Sequence, residues 1–354
     1  MKQIDIQNLV RDNVKNLKPY SSARDEFKGS AEVFIDANEN PFDHPYSRYP
    51  DPRQVKLKQQ MSLWRNVPLE NIFLGNGSDE IIDLVIRAFC NPGVDNVVGF
   101  NPSYGMYDVS AGINDVQLIK VDLKPDFTLD FDTLKNAITP FTKVVFLCSP
   151  NNPSGNELPY EEVIKFINEV NAIVVVDEAY IDFANQNSLI EKIYDLPNLI
   201  VMQTLSKAMG SAALRIGMGF GQEQLLDILN KIKPPYNIST AAQNEALKIF
   251  EDLDQFNYET TKIKSERQRL MMEFTRYKQV SDIFPSAANF ILIRVDDANK
   301  LYNFLTSQGI IVRNRHGQKY CDNCLRITVG TPDENDLLIY KLDEYYHAKN
   351  IVSR

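Results

Sequence analysis

The stretch Ala172-Ile-Val-Val-Val-Asp177-Glu-Ala-Tyr180 runs through five apolar residues and then delivers a carboxylate. A half-exposed strand alternates apolar and polar positions, whereas a strand that is apolar on both faces belongs inside a parallel sheet covered by helices on each side. Similar β-branched runs recur at Asn96–Phe100, Val116–Leu123, Lys143–Cys148, Leu199–Thr204 and Arg215–Phe220, with helical patterns between them. Such alternation predicts an α/β chain built on a doubly wound, mainly parallel sheet over roughly residues 45 to 245. One of the intervening helices is easily read: Ile82, Val85, Ile86 and Phe89 fall at three- and four-residue spacing within Asp79–Phe89, and Ser78 stands before them as a candidate N-cap.

After Asn237–Gln243 the pattern changes to a long charged helix from Glu245 to about Tyr277. There follow a strand Asn289–Val295, a helix Ala298–Gln308, a strand Cys324–Val329 and a helix from Asp333. This tail predicts a separate, smaller α+β domain. A chain of 354 residues also exceeds the ~250 to 300 at which one hydrophobic core stops growing, so two domains are expected. The expected division is an N-terminal arm over 1–30, a large domain over 31–245 and a small domain over 246–354. The arm is amphipathic and is expected to lie on the small domain or on a partner subunit.

The bulk numbers exclude several classes. With 44% hydrophobic and 24% charged residues the composition is that of an ordinary globular protein. A net charge of −9 with no compensating basic stripe argues against nucleic acid or an anionic membrane face as partner. No segment approaches the ~18 apolar residues of a membrane span, and the first residues lack a leader-like apolar core, so the cytoplasm is the expected compartment. Four cysteines, at 90, 148, 321 and 324, are too few for a disulfide framework. Cys321-x-x-Cys324 lacks the second pair or histidine couple of a zinc site, and His44, His316 and His347 are scattered, so no metal is expected. No G-x-G-x-x-G follows an early strand, which argues against a nicotinamide dehydrogenase.

Four segments carry chemistry-bearing residues. In Thr204-Leu-Ser-Lys207-Ala-Met-Gly-Ser-Ala-Ala-Leu-Arg215 a strand ends in a small-residue loop with a lysine and an arginine eight positions apart. Gly75-Asn-Gly-Ser-Asp-Glu80 precedes a helix, so its free N–H groups and the helix dipole suit a phosphate, unless it is a plain glycine turn. Ser149-Pro-Asn-Asn-Pro-Ser-Gly155 places amide side chains where doubly wound folds bind ligands, unless it is a proline turn. Asp177, at a buried strand end, is costly without a partner; a cationic ring nitrogen or a neighbouring helix's cation would serve.

Taken in order, the phosphate loop, Tyr104, Asn152, Asp177 with Tyr180, Ser206-x-Lys207 and Arg215 resemble the fold-type I pyridoxal phosphate (PLP) aminotransferases. Asn13–Arg24, Asp36–Pro41, Ser47–Pro50, Asn101–Tyr107 and Leu325–Thr331 are similar to the histidinol-phosphate aminotransferase branch, and the resemblance covers nearly the whole chain.

The resemblance implies roles. Lys207 would carry PLP and move the reacting proton, and Asp177 would pair with the pyridine nitrogen. Asn152 and Tyr180 would hydrogen-bond the ring oxygen, and Tyr104 would stack on the ring. Ser78 and Asp79 backbone groups, Ser206 and Arg215 would hold the phosphate, joined by Tyr49 from the other subunit of a homodimer with shared sites. For substrate, Arg326 would take the carboxylate of glutamate, the partner of 2-oxoglutarate. Arg313 and Tyr20 would lie near the phosphate of histidinol phosphate, and Asn38 beside the substrate amine or carboxylate. The implied activity is amino transfer between histidinol phosphate and 2-oxoglutarate, in histidine biosynthesis. The alternatives are aromatic amino acid transamination and phospho-amino-acid decarboxylation on the same scaffold. Two departures stand out: Ala213 replaces a glycine usual before the arginine, and His316–Asn323 matches no family signature.

Overall fold

A computed structural model describes residues 4–21, 27, 29 and 32–352, with side chains through residue 347. Arg24, the last residue of the Asn13–Arg24 segment, lies outside the described residues.

The large sheet has seven strands: β1 (Ile72–Asn76), β2 (Asn96–Asn101), β3 (Gln117–Asp122), β4 (Thr142–Cys148), β5 (Ile173–Asp177), β6 (Leu199–Thr204) and β7 (Ile216–Phe220). Their spatial order is β1-β7-β6-β5-β4-β2-β3. Neighbours from β3 through β6 pair in parallel, while β7 runs antiparallel to both β6 and β1. Every residue of β5, β6 and β7 is buried, as continuous apolar runs require. The six expected strands are found with boundaries shifted by at most one residue, Leu199–Thr204 matching at both ends, β1 joins them, and the fold class is the one expected.

This topology gathers one edge. The parallel strands β2, β4, β5 and β6 all end on the same side, where their chains continue into Tyr104, Asn152, Asp177 to Tyr180, and Ser206 with Lys207. Because β7 is reversed, with Gly217 opposite Thr204, its first neighbour Arg215 arrives on that same side. The helix Ser78–Phe89 buries Ile81, Ile82, Leu84, Val85, Ile86, Ala88 and Phe89 against the sheet. At about 1.5–3 kcal/mol per large buried side chain, this face fixes where the helix N-terminus points.

A second sheet, β8 (Val280–Ile283), β9 (Phe290–Val295), β10 (Arg313–Asn314) and β11 (Cys324–Thr328), is antiparallel in the order β10-β11-β9-β8. It carries its own core of Leu270, Phe274, Ile291, Ile293, Leu301, Leu305, Leu325 and Leu342, among others.

Three local expectations are corrected. Gly77, not Ser78, caps the helix: it adopts φ 77°, accessible to glycine at little cost, and Ser78 is the first helical residue. The long helix from Glu245 is two helices, Thr240–Ile249 and Leu253–Phe274, and the second starts where Asp252 accepts a hydrogen bond from Gln255 N at 2.9 Å. The first part of the arm packs on the large domain, not on the small one. Ile6, Leu9, Val10 and Val14 join the large domain's core, and Arg11 N donates to Ala88 O at 3.0 Å while its guanidinium donates to Arg87 O at 2.9 Å. The carbonyls left open at the end of the Ser78–Phe89 helix thus find donors in the arm.

Candidate active site

Nine of the expected residues line one cavity at the sheet's gathered edge: Ser78, Asp79, Tyr104, Asn152, Asp177, Tyr180, Ser206, Lys207 and Arg215. Cys148, Ala179 and Thr204 complete the wall and were not singled out from the sequence.

At one side the helix Ser78–Phe89 presents its N-terminus without any side-chain cap, so its first N–H groups remain free donors. The turn is tightly built. Gly77 N donates to Arg215 O at 2.6 Å, and a Cβ on Gly217 would lie 2.3 Å from Ser78 N and 2.4 Å from the Gly77 carbonyl carbon. Glu80 Oε2 buttresses the turn from below, accepting from Asn76 N at 2.5 Å and Asn237 Nδ2 at 2.8 Å. Arg215, itself at φ 53°, brings its guanidinium to 3.5 Å from Ser206 Oγ and 3.3 Å from Asp79 Oδ2. Tyr104 donates its phenol to Asp79 Oδ1 at 3.0 Å, and burial beside that carboxylate pushes its proton affinity up. Free helix N–H groups, a serine hydroxyl and an arginine fork together make a seat for an oxyanion.

Asp177 is fully enclosed, 3% exposed. It accepts Tyr107 Oη–H at 2.6 Å on Oδ2 and Ala179 N–H at 3.1 Å on Oδ1. Burial still outweighs these donors and pushes the carboxyl up to about 6. The positive charge of Lys207 acts in the opposite direction, favouring the carboxylate. Tyr107 stacks on Phe146 with centroids 4.8 Å apart, so its phenol is aimed rather than free to rotate. A carboxylate held this way suits a cationic ring group entering the cavity.

Lys207 lines the cavity and is exposed at its mouth. Desolvation first, then the charges of Arg326 and Arg215, lower its proton affinity, against Asp177 and Asp79. Its Nζ lies 5.6 Å from the Tyr180 ring centroid. Tyr180 is buried and packs edge-on against Phe290 of β9 at 5.2 Å. Asn152 receives Arg326 Nη1 on Oδ1 at 2.5 Å, which ties the large domain's loop to β11. Arg326 in turn lies over Phe290, 5.1 Å from its centroid.

The remaining expected residues are not brought to this cavity within one chain. Tyr49 stacks on Tyr236 at 4.5 Å, and it borders a separate hollow together with Asn38. Tyr20 is 70% exposed beside a third hollow that includes Arg53 and Lys58. Arg313 is exposed on β10, directly across from Arg326. Ala213 sits in a short 3-10 turn and is not among the residues with positive φ, so the extra methyl meets no backbone conflict. Tyr107 and Arg315 touch the site's residues without having been expected. The only sequence signal for Tyr107 was its place three residues beyond Tyr104 at a helix start. Cys321 and Cys324 are buried and free. Among the described residues no group of histidine, cysteine, aspartate or glutamate has the arrangement of a metal site, and no helix is long and apolar enough to cross a membrane.

Residues 24–342 match the family described as aminotransferase class I and II. A histidinol-phosphate aminotransferase of Parabacteroides distasonis is 51% identical over 335 residues, covering 95% of this chain and 97% of that protein. One from Christiangramia forsetii is 50% identical over 346 residues, covering 97% and 99%. Among solved structures, the histidinol-phosphate aminotransferase of Sinorhizobium meliloti in complex with pyridoxal-5'-phosphate superposes with a TM-score of 0.78 at 27% identity, over 85% of this chain and 83% of that one. The enzyme from Clostridium acetobutylicum gives 0.77 at 23% identity over 85% and 91%, a likeness of fold.

Proposed function

We propose that this chain, which belongs to the class I and II aminotransferase family, transfers an amino group between histidinol phosphate and 2-oxoglutarate, using pyridoxal phosphate, in histidine biosynthesis. One observation carries the reading. A buried carboxylate short of a cation, a lysine of lowered proton affinity and an oxyanion seat of helix N–H groups with Arg215 all line one cavity. These are the three groups that a phosphorylated, cationic aromatic aldehyde requires. Relatives of about half-identical sequence over nearly their whole length carry the histidinol-phosphate aminotransferase name, which favours this donor over aromatic amino acids or a decarboxylation.

When bound, PLP supplies an electron sink for the bond that breaks at the substrate carbon. The chain's residues do the rest. Lys207 would anchor the cofactor and, once released by the substrate amine, its Nζ, whose proton affinity is lowered, would move the proton from the substrate's amine-bearing carbon to the cofactor carbon. Asp177 keeps the ring nitrogen protonated, and Tyr107 keeps Asp177 in place. Asn152 and Tyr180 serve the ring oxygen, and Tyr104 serves the ring face. The N–H groups of Ser78 and Asp79, Ser206 and Arg215 hold the phosphate. Arg326 takes the carboxylate of glutamate, Arg313 and Tyr20 serve the substrate phosphate, and Asn38 stands near the substrate amine or carboxylate.

Tyr49, Asn38 and Tyr20 lie away from the cavity of their own chain, which supports a homodimer in which Tyr49 completes the phosphate seat of its partner's site. The cytoplasm is the proposed compartment. Lys207→Ala tests the reading: turnover of histidinol phosphate should vanish while the fold persists, and full turnover in this variant would overturn the assignment of Lys207.

A further inference from the structure

A small cluster of buried residues, Tyr180, Phe183, Ala208, Ala288 and Phe290, stands apart from the two larger cores and borders the Lys207 cavity through Tyr180. It joins the neighbour of Lys207 to the start of β9 in the second sheet. Tyr180 leads into a short 3-10 turn, Ile181–Phe183, and Phe183 N donates back to Tyr180 O at 3.0 Å. The Tyr180 phenol has no hydrogen-bond partner among the described residues. Its place is therefore set by the edge-on packing of its ring on Phe290 and by the backbone of this turn.

Arg267 binds both supports at once. Only 5% exposed in the helix Leu253–Phe274, it donates through Nη1 to Phe183 O at 3.2 Å and to Ala288 O at 2.7 Å. The first carbonyl closes the turn that begins at Tyr180, and the second stands two residues before Phe290. Among the described residues Arg267 pairs with no carboxylate, and burial lowers its proton affinity with only the charge of Glu157 opposing. Burying a guanidinium is costly, and an apolar side chain of the same volume would cost less. What the guanidinium adds is one nitrogen shared by two carbonyls, one from each side of the cluster. Lys264, one turn earlier on the same helix, differs: its Nζ reaches only Ala184 O, at 3.2 Å. Asp182 of the same turn pairs with Arg65 at 2.8 Å. These two contacts hold the turn without reaching the residues before β9.

We propose that Arg267 is a positioning residue for the amino transfer: by tying the Tyr180 turn to the residues before β9, it holds the Tyr180 phenol in place beside Lys207. The inference rests on the proposed reaction, in which Tyr180 serves the oxygen of the cofactor ring. A phenol donating there favours negative charge on that oxygen and so weakens the hold of the lysine-bound nitrogen on its proton. The other groups that face the phenol are Cys148, Asp177, Arg326 and Arg315, with Lys207 Nζ 5.6 Å from the ring centroid. None of them is bonded to Arg267, so a change at Arg267 reaches the cavity through Tyr180.

The test follows the visible absorbance of the cofactor-loaded protein against pH, which reads protonation of the lysine-bound cofactor, in wild type, Arg267→Met, Tyr180→Phe and the double variant. Arg267→Met should raise the midpoint by about one pH unit, as a weakened hydrogen bond to a charged oxygen predicts. Tyr180→Phe should raise it at least as far, and Arg267→Met added to it should move the midpoint no further, because the two act as one. Lys264→Met removes a bond to the same turn without touching Ala288 O. It should lower the melting temperature and leave the midpoint within about 0.3 unit of wild type. Should Arg267→Met not fold, Arg267→Lys makes the same comparison with a smaller rise, since a shorter side chain keeps the charge and loses the planar fork. An unmoved midpoint in the Arg267 variant, a further rise in the Tyr180→Phe background, or an equal rise in Lys264→Met would each overturn the proposal and leave Arg267 a structural tie. A wild type with no such absorbance after loading with PLP would instead overturn the reaction reading, and the inference with it.

Discussion

The phenol of Tyr107 donates a 2.6 Å hydrogen bond to Oδ2 of Asp177, inside a wall where both side chains are shut away from water. This bond comes from the residue after a helix start, Met106–Ile113, reaching across to the end of β5. It opposes the burial that pushes Asp177 up, and together with the Ala179 amide it fixes which oxygen faces the cavity.

Tyr107→Phe therefore removes a donor and leaves the ring stack on Phe146. The expected result is a further rise of the Asp177 carboxyl, with cofactor affinity and kcat/KM each down about 10-fold, from a lost hydrogen bond to a charged acceptor. Equilibrium titration with PLP followed by steady-state kinetics measures it, and thermal unfolding checks that the fold is kept.

Asp177 also sets a pH dependence. Its folded value, about 6, is raised above the ordinary 3.8, so the cofactor-free fold binds this proton more tightly than the unfolded chain does. The contribution to stability is present at acid pH and is lost as pH rises through about 6, on the order of 3 kcal/mol in all. Melting temperatures of the cofactor-free protein from about pH 4 to about pH 7 should show a fall that Asp177→Asn lacks. Cofactor affinity should run the opposite way, weakening below about pH 6, because a protonated carboxyl cannot balance a cationic ring.

Gly217→Ala tests the tightness of the phosphate turn. The new Cβ would meet Ser78 N at 2.3 Å and Gly77 carbonyl carbon at 2.4 Å, backbone atoms that cannot swing aside. The helix N-terminus must shift, at a cost of about 1–3 kcal/mol. Loss of cofactor retention on dialysis, together with a lowered melting temperature, is the expected outcome; a variant that keeps its cofactor and its melting point would show that the turn has slack.

Arg215→Gln should lower PLP affinity about 10- to 100-fold while leaving the sheet intact, since its guanidinium touches Ser206 and Asp79 at the surface of the cavity and not the core. Fluorescence titration of the cofactor-free variant gives the ratio directly.

How much of this was legible before the structure differs residue by residue. The strands were read nearly to their ends because Val174–Val176 and Leu199–Met202 are apolar on both faces, a pattern no surface strand or loop sustains. Asp177 and Lys207 could be placed together from strand ends, whereas Arg215 was joined to them only by the family resemblance, and the antiparallel β7 is what brings it round. Ser78 was misread as a cap because serine favours that place, yet the turn's positive φ demanded the glycine before it. The arm's spacing of Ile6, Leu9, Val10 and Val14 announced an apolar face, but periodicity names no partner, and the helix end at Arg87 and Ala88 that receives it is distant in sequence. Tyr107 and Arg315 escaped for the same reason: each acts through one contact across more than sixty residues.

The most direct test of the central claim is the visible absorbance of the purified, cofactor-loaded protein during two successive additions. The reading predicts that histidinol phosphate removes the absorbance of the lysine-bound cofactor and that 2-oxoglutarate then restores it, with glutamate released. An absorbance that histidinol phosphate leaves untouched, while another amine removes it, would contradict the assigned donor; no such absorbance after loading with PLP would contradict the cofactor itself.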